Sequence, residues 1–473
     1  MIIINNDKNI PIYIQIYEQI KNEIITEQIP GDSKLPSIRG LSETLNVSRN
    51  TVENAYQQLS SEGYIKSKPG SGYFSLKLDS IQLLKPTNEN LLDNKEHNKL
   101  FQDTSDTESL KFNFTNRCYS VSEFPLRTWK KLTNQCMQSI DFLSFTKYDA
   151  QFGVHDLQIE LMKYLKKSRG VSCTPEQIII SSGMEYSLSL LCQLFREISP
   201  KIAIEDPGYS VAKSIFDNNG YSVLPIRLEK NGINVEELYK SSGKVVYVTP
   251  SHQFPTGSLM PLQKRLHLLE WATRKQGIII EDDYDSEFRY NSRPIPSLQS
   301  IDSIGSVVYL GTFSKSLSPS IRIGYMVLPQ SLLKKYYEHF DSYHVTASLM
   351  QQKILAQFMQ LGYWDRHIRR IHINAIKKHN LLIQTIQEYM GDKVIIHGQD
   401  SGLHILLEFK NGLKEDEIIE KGKKCGVLVS PVSTYWMRKK EYKNNMIMLS
   451  YGGIAEDKIV EGIRTLSNAI FND

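Results

Sequence analysis

Five short apolar segments, separated by stretches long enough for a helix, recur through the middle of the chain and constrain its fold most strongly. They are IIIS at 178–181, KIAIED at 201–206, VVYVTP at 245–250, GIIIEDD at 277–283 and VVYLGT at 307–312. Runs of this kind predict buried β-strands, and their spacing leaves room for helical crossovers between parallel neighbours. We therefore expect an α/β domain with a mostly parallel central sheet. Ligands of such sheets bind beyond the carboxyl ends of the strands.

The last of these segments leads into a turn, YLGTFSKSLSPSIRIGYM at 309–326, that contains one lysine and one arginine. A lysine amine can form an imine with an aldehyde, and an arginine among hydroxyl groups can hold a phosphate by charge-assisted hydrogen bonds. Pyridoxal 5′-phosphate (PLP) carries both groups. We predict a PLP site in which Lys315 is the catalytic Schiff-base residue. The predicted phosphate ligands are Thr312, Ser314 and Arg322.

Asp282 ends the fourth apolar segment and is followed by Asp283, Tyr284 and Asp285. A carboxylate beside a pyridine nitrogen keeps that nitrogen protonated and lets the ring act as an electron sink, so we assign this role to Asp282. Tyr284 is expected to donate to the phenolate oxygen of the cofactor. For Asp283 and Asp285 a structural role in the loop is the better interpretation.

Three further loops are predicted to complete the cofactor site. Tyr209, after a turn in EDPGYSVAK, is placed to stack on the pyridine ring, with core packing as the alternative. His252, with Gln253 beside it, follows a strand and is available to the cofactor ring or to an effector. A glycine at the junction between a strand and the following helix can leave backbone amides exposed to a phosphate. These amides belong to Gly183, Met184 and Glu185.

The first 75 residues carry a different pattern, that of three helices and a hairpin. Isoleucines at four-residue spacing predict an amphipathic helix from about 11 to 27. Ser37 is expected to cap a short second helix, and Ser48 a third helix through Leu59. The segment YIKSKPGSGYFSL then alternates β-prone residues around Pro and Gly, which predicts a two-stranded wing.

This order of elements predicts a helix-turn-helix whose third helix enters the major groove of double-stranded DNA. Residues 1–75 hold 7 Lys and Arg against 8 Asp and Glu, so the prediction depends on the pattern and not on bulk charge. A small helical packing domain is the alternative. The expected contacts to bases and phosphates come from Arg39, Ser48, Arg49, Asn50, Thr51, Lys66 and Lys68.

The chain is thus predicted to consist of a DNA-binding domain at 1–75, a polar flexible linker at 76–110 and a PLP-binding effector domain at 111–473. No apolar run approaches membrane-spanning length, and the first ten residues are too polar for a secretion signal, so we expect a cytoplasmic protein. The five cysteines contain no C-x-x-C pair. We expect them to be reduced, with no metal site.

Several motifs place the chain beside a known family. LPS-x-R, L-x-V-SR-x-T-V and EGY followed by GSG resemble the winged-helix domain of the GntR regulators. EDPGY, TPSHQFPTG, EDDYDSEFRY and GTFSKSLSPSIRIGY resemble the fold-type I aminotransferases, and the combination resembles the MocR/GabR family of transcriptional regulators over nearly the whole chain. This resemblance implies an internal aldimine at Lys315, a head-to-tail homodimer with exchanged winged helices, and promoter binding that changes when a ligand reaches the cofactor.

One position departs from the pattern of that family. Its amino acid sensors, like true aminotransferases, carry an arginine in a late strand that binds the substrate carboxylate, whereas NMIMLSYGG has Met448 there. Arg438 lies beyond the intervening turn. Losing such a charge-assisted pair costs on the order of 1.5 to 3 kcal/mol. This favours a sensor of PLP itself, as in the PdxR branch that controls vitamin B6 synthesis.

Three functions compete at this stage. The first is a PLP-dependent DNA-binding regulator that senses PLP or an amino compound, with the aminotransferase-like domain acting as sensor and not as enzyme. The second is a catalytically active aminotransferase with an appended DNA-binding domain. The third is a regulator whose cofactor pocket serves only as a dimer scaffold. The first interpretation accounts for both halves of the chain and is the one we prefer.

Overall fold

A computed structural model describes residues 2–4, 10–77, 111–115, 123–139, 151–290 and 295–471. The chain divides into two compact units, residues 1–105 and 106–473. The predicted linker falls outside the described residues except for positions 76 and 77. Among the helices of the described ranges, none combines the length and the apolar composition that a membrane crossing requires.

The N-terminal unit contains three helices and a hairpin: α1 (Ile12–Ile25), α2 (Ile38–Leu45), α3 (Arg49–Ser61), β1 (Ile65–Lys68) and β2 (Gly72–Ser75). The strands pair antiparallel. Ser37 Oγ accepts from Gly40 N and Ser48 Oγ from Thr51 N, so both predicted N-caps are confirmed. Ile16, Ile20 and Ile24 of α1 are buried against the other two helices, as the four-residue spacing requires.

The second unit is built on an eight-stranded sheet in the order β4-β11-β10-β9-β8-β5-β6-β7. Its strands are β4 (Ile178–Ser181), β5 (Lys201–Asp206), β6 (Ser222–Glu229), β7 (Gly232–Ile233), β8 (Val245–Val248), β9 (Ile278–Asp282), β10 (Val307–Thr312) and β11 (Gly324–Val327). The central strands β10, β9, β8, β5 and β6 run parallel, whereas β11 pairs antiparallel with both β10 and β4. The predicted mostly parallel sheet is confirmed, and the antiparallel strand β11 is an addition that the sequence did not indicate.

Helices cover this sheet, and several of them connect one strand to the next along the chain. They are α4 (Leu126–Ser139), α5 (His155–Arg169), α6 (Met184–Phe195), α7 (Ser210–Asn218), α8 (Val235–Lys240), α9 (Leu262–Lys275), α10 (Gln330–His339) and α11 (Leu349–Gln360). Side chains from all five parallel central strands lie in the buried apolar clusters between the sheet and these helices. Strands β5, β8, β9 and β10 are buried almost throughout, which explains their continuous apolar sequence, whereas β6 has one buried residue, Ile226.

The C-terminal part adds a smaller antiparallel sheet in the order β12-β13-β16-β15. The remaining elements are α12 (Tyr363–Tyr389), β12 (Val394–His397), β13 (His404–Phe409), α13 (Glu415–Lys424), β14 (Val427–Leu428), β15 (Ser430–Pro431), β16 (Met446–Ser450) and α14 (Glu456–Phe471). Strand β14 pairs with the short β3 (Phe112–Asn113). Apolar residues of α12 and α14 pack on this sheet, and β16 is the late strand expected to contain Met448.

Candidate functional site

The carboxyl ends of four neighbouring parallel strands bring the predicted cofactor ligands together. Asp282 ends β9 and is in register with Leu310 of β10, two residues before Thr312. Tyr209 follows β5, and Thr249 follows β8. The antiparallel pairing of β11 with β10 and β4 then returns the chain from Lys315 toward the loop at Gly183. Residues more than 130 positions apart in sequence therefore face one cavity.

A cradle for an anion lies where α6 begins. Gly183 has φ 127°, which other residues rarely adopt, and a Cβ at this position would lie 2.8 Å from Arg322 Nη2. Arg322 Nη2 donates to Glu185 Oε2 at 2.9 Å, and the backbone amide of Glu185 also stabilises that carboxylate. Burial raises the pKa of Glu185, but the two hydrogen bonds lower it by more, so the net shift is downward. The donors that now bind the Glu185 carboxylate are of the kind that bind a phosphate, which is consistent with the predicted cofactor.

Asp282 also lines the cavity and is almost fully buried. Burial raises its pKa to about 7, the hydrogen bond from Tyr247 opposes the shift, and the neighbouring acids Asp283, Asp285 and Glu205 add to it. A cationic group beside this carboxyl would favour its ionised form. The protonated nitrogen of a pyridine ring is such a group, so the environment of Asp282 fits its predicted role.

Lys315 lies in the turn after β10, close to the hydroxyl groups of Thr312 and Ser314, which are 2.9 Å apart. Burial lowers the pKa of the Lys315 amine, and the nearby Asp285 carboxylate opposes that shift. A lowered pKa increases the neutral fraction of the amine, which is the nucleophilic form. Lys315 is therefore suited to attack an aldehyde.

The cavity has a volume of about 360 Å³. It is lined by Met184, Glu185, Tyr209, Thr249, Phe254, Asp282, Asp283, Tyr284, Asp285, Glu287, Thr312, Ser314, Lys315, Pro319 and Arg322. Most predicted cofactor ligands thus meet in one place. Gly183 contacts the cavity through Arg322, whereas the His252 ring is fully buried behind the wall and does not line it.

A small apolar cluster meets the cavity at Tyr209, Phe254 and Tyr284, and Met448 belongs to this cluster without lining the cavity. Met448 is fully buried on β16, in register with Leu406, and packs in a cluster with Phe254 and Val432. Tyr209, Tyr284, Tyr435 and Trp436 pack around this cluster. Arg438 lies elsewhere, because its Nη2 donates to Glu237 Oε1 at 2.6 Å.

Sequence reasoning missed several buried polar residues that shape this site. Tyr247 donates to Asp282, and Arg169 forms an ion pair with Asp283 at 2.8 Å. Glu205 accepts from Thr249 N at 3.1 Å, and burial raises the pKa of this carboxyl to about 7. A charged residue inside an apolar strand, as in KIAIED, is the signal that could have identified Glu205.

The predicted DNA-contact residues lie at the start of α3 and on the wing. Arg49 and Asn50 are exposed, whereas the hydroxyls of Ser48 and Thr51 bond to each other at 2.7 Å as part of the cap. Arg39 forms an ion pair with Glu43 at 2.9 Å. Lys66 forms one with Asp32, also at 2.9 Å, and the Lys68 amine lies 4.5 Å from the centre of the Phe74 ring. Arg39 and Lys66 must exchange these partners to contact DNA.

Comparison with known families gives two matches. Residues 12–74 match the family described as bacterial regulatory proteins, gntR family. Residues 108–439 match aminotransferase class I and II. Among solved structures, the chain is similar to the kynurenine aminotransferase of Pyrococcus horikoshii, with a TM-score of 0.70 and 26% identity over 82% of this chain and 96% of that one. That structure is described as a complex with PMP, with KYN as substrates and KYA as products.

Full-length relatives share both parts. The uncharacterized HTH-type transcriptional regulator YdeL of Bacillus subtilis is 40% identical over 98% of both chains. The probable rhizopine catabolism regulatory protein MocR of Rhizobium meliloti is 30% identical over 99% of this chain and 96% of its own. The pyridoxine biosynthesis transcriptional regulator PdxR of Corynebacterium glutamicum is 27% identical over 96% and 95%.

Proposed function

Because the chain belongs to the MocR-type family of GntR regulators with an aminotransferase-like domain, we propose that its promoter binding responds to PLP held in the large unit. The coarser function, a transcriptional regulator with an aminotransferase-like domain, is that of the family. The finer proposal is that the cofactor itself is the primary effector. In a second form of the same proposal, the effector is an amino compound that reacts with the bound cofactor.

The observation that carries this proposal is the distribution of positive charge around the cavity. Among its described lining residues, the cations are Lys315 and Arg322. Lys315 is needed at the aldehyde and Arg322 at the phosphate, so neither is available for a substrate carboxylate. Met448 does not line the cavity and packs in an apolar cluster with Phe254, which does. This supports a site that binds the cofactor and handles amino acids poorly.

PLP supplies an aldehyde that reacts with amines and a ring that withdraws electrons. The residues of the chain bind and orient it. Arg322 and the amides at the start of α6 would hold the phosphate, and Asp282 would face the ring nitrogen. Burial and the Asp282 charge raise the pKa of Tyr209 and the Arg322 charge opposes this shift, so Tyr209 lies near both residues. Lys315 provides the covalent anchor.

The partners and the domain roles form part of the proposal. We assign DNA binding to residues 1–75 and effector binding to residues 111–473, with the polar segment 76–110 as linker. A head-to-tail homodimer would let two winged helices read two half-sites of one promoter. The change in effector occupancy would then act by shifting the balance between two dimer arrangements. The relative PdxR, whose name refers to pyridoxine biosynthesis, supports vitamin B6 genes as targets.

The test is a promoter-shift titration with the full-length protein stripped of cofactor. We expect added PLP to change the promoter affinity at least severalfold, and amino acids to leave both this affinity and the cofactor absorbance unchanged. The matched control is the Lys315→Ala protein, whose promoter affinity should not respond to PLP. Identical promoter binding with and without PLP contradicts the proposal. One amino acid that changes both signals identifies an amino compound as effector, and sustained amino-group transfer to a keto acid identifies an enzyme.

A further inference from the structure

Three buried side chains behind the cofactor cavity bring ligand atoms together without satisfying them. His252, Asp285 and His404 each offer one atom to a cluster in which all three atoms lie within 4.8 Å of one another. Their exposed fractions are 0%, 3% and 1%. His252 Nε2, His404 Nδ1 and Asp285 Oδ1 have no hydrogen-bond partner among the described residues. Buried polar atoms in native proteins are almost always hydrogen-bonded, so three unsatisfied ones in one place require an explanation.

The outer hydrogen bonds set which nitrogen of each ring carries a lone pair. His404 Nε2 lies 2.9 Å from Pro255 O, and because a carbonyl only accepts, this nitrogen carries the proton and Nδ1 is a lone pair. His252 Nδ1 lies 2.8 Å from Ser401 Oγ, which leaves Nε2 as a lone pair when Nδ1 donates. Asp285 Oδ2 accepts from Leu403 N at 3.2 Å. This is how metal-binding histidines and carboxylates are oriented by a second layer of bonds.

Space at the cluster is kept open by a glycine. A Cβ at Gly402, which has φ 83°, would lie 2.2 Å from His252 Nε2. Two ligand atoms bonded to a tetrahedral zinc ion at about 2.1 Å lie about 3.4 Å apart, so closure of the cluster onto an ion requires its ligand atoms to approach one another by up to about 1.4 Å. Asp285 also lines the cofactor cavity, which gives an ion a route to the site.

From these observations we infer that His252, Asp285 and His404 form a binding site for a divalent transition metal ion of the zinc type. Two imidazole nitrogens and one carboxylate oxygen suit Zn²⁺ and leave a fourth position for water. The three ligands come from the loop after β8, the loop after β9 and the first residue of β13. A bound ion would therefore fasten the smaller sheet to the large sheet beside Lys315. This inference does not depend on the proposed response to PLP.

The first experiment measures zinc in the full-length protein by mass spectrometry of the metal after chelator treatment, reloading with Zn²⁺ and gel filtration. We expect one ion per chain in the wild type and a dissociation constant more than about 100-fold higher for His252→Gln and His404→Gln, which remove ligands. His379→Gln is the matched control, because His379 is also buried with an unpartnered Nε2 but lies outside the cluster. It should bind zinc like the wild type. Ser401→Ala removes only the positioning bond and should weaken binding by roughly 10- to 100-fold.

A second measurement uses the unaltered protein, so it does not depend on whether the variants fold. Co²⁺ substituted for Zn²⁺ should give the visible bands of a nitrogen and oxygen site without the near-ultraviolet band of cobalt–thiolate bonds. Thiolate bands would place the ion at cysteines and overturn the inference. It is equally overturned if the wild type binds no zinc, or if the two ligand variants bind it as tightly as the wild type.

Discussion

Arg49 and Asn50 stand in solvent at the start of α3, whereas Asp282 and Lys315 lie in the wall of a cavity in the second unit. The first pair is held in place by one local device, the Ser48 cap. The second pair is held by strand ends and by buried partners such as Tyr247. Groups that meet a large polyanion need exposure and reach, whereas groups that hold a small cofactor need fixed positions and shifted pKa values.

Burial also determines how much function each region is expected to lose on mutation. In the cavity, burial moves the pKa of Asp282 up to about 7 and that of Lys315 down, so a single substitution changes the charge state of its neighbours. The DNA-contact face has charges screened by water and salt, so each side chain contributes separately and modestly. The comparison therefore predicts large, coupled losses in the cavity and smaller, independent losses at α3.

Lys315→Ala should produce the largest effect, because it removes the amine that we propose as the anchor of the cofactor. We expect complete loss of the absorbance of covalently held PLP, with the fold retained, since Lys315 lies in a turn and not in a strand. The measurement is the absorbance spectrum, together with borohydride reduction and mass spectrometry of the peptide that contains residue 315. In the wild type this peptide should gain the mass of the reduced cofactor.

The control for this prediction is Lys378, another buried lysine, whose amine donates to Gly452 O at 2.8 Å, away from the cavity. Its peptide should remain unlabelled after reduction. Labelling of Lys378, or normal cofactor absorbance in the Lys315→Ala protein, would show that the anchor is a different residue.

Arg322→Ala should have the next largest effect, since it removes charge-assisted hydrogen bonds to the phosphate. We expect the dissociation constant of PLP to rise roughly 10- to 150-fold, on the order of 1.5 to 3 kcal/mol. Fluorescence titration of the cofactor-free protein measures it. The control is Arg274→Ala, which breaks a surface arginine–glutamate pair in α9 and should leave the affinity unchanged. An equal loss in both variants would mean that Arg322 acts only through overall charge.

Much of the fold was predictable because its signals are local. The helix caps Ser37 and Ser48 precede their helices directly, and the apolar strands such as 178–181 and 307–312 begin and end where the sequence predicts. Strand β11 was not predicted, although Arg322, two residues before it, was assigned a role in binding the phosphate. Its antiparallel place between β10 and β4 depends on the order of strands in the sheet, which periodicity does not encode.

The cavity was predictable in its ligands but not in the contacts between them. Tyr247 and Glu205 sit within apolar strands, and their partners Asp282 and Thr249 come from neighbouring strands. The cluster of His252, Asp285 and His404 joins two loops and the first residue of β13, which are separated in the chain. No spacing rule finds such a cluster, because the metal-binding patterns readable from sequence are those in which ligands lie a few residues apart.

Arg49→Ala is expected to have the smallest effect and bears most directly on the comparison. Arg49 is exposed at the first position of α3, where a side chain can reach a base edge. Loss of such a contact should weaken operator binding by about 1 to 3 kcal/mol and leave binding to random DNA nearly unchanged. Arg39→Ala is the matched control. Arg39 lies on α2, where we expect a contact to the DNA backbone, so its loss should weaken binding to operator and to random DNA equally and lower the salt dependence by about one phosphate contact. If Arg49→Ala behaves like Arg39→Ala in titrations at several salt concentrations, Arg49 binds phosphate, and base readout must come from a neighbour such as Asn50.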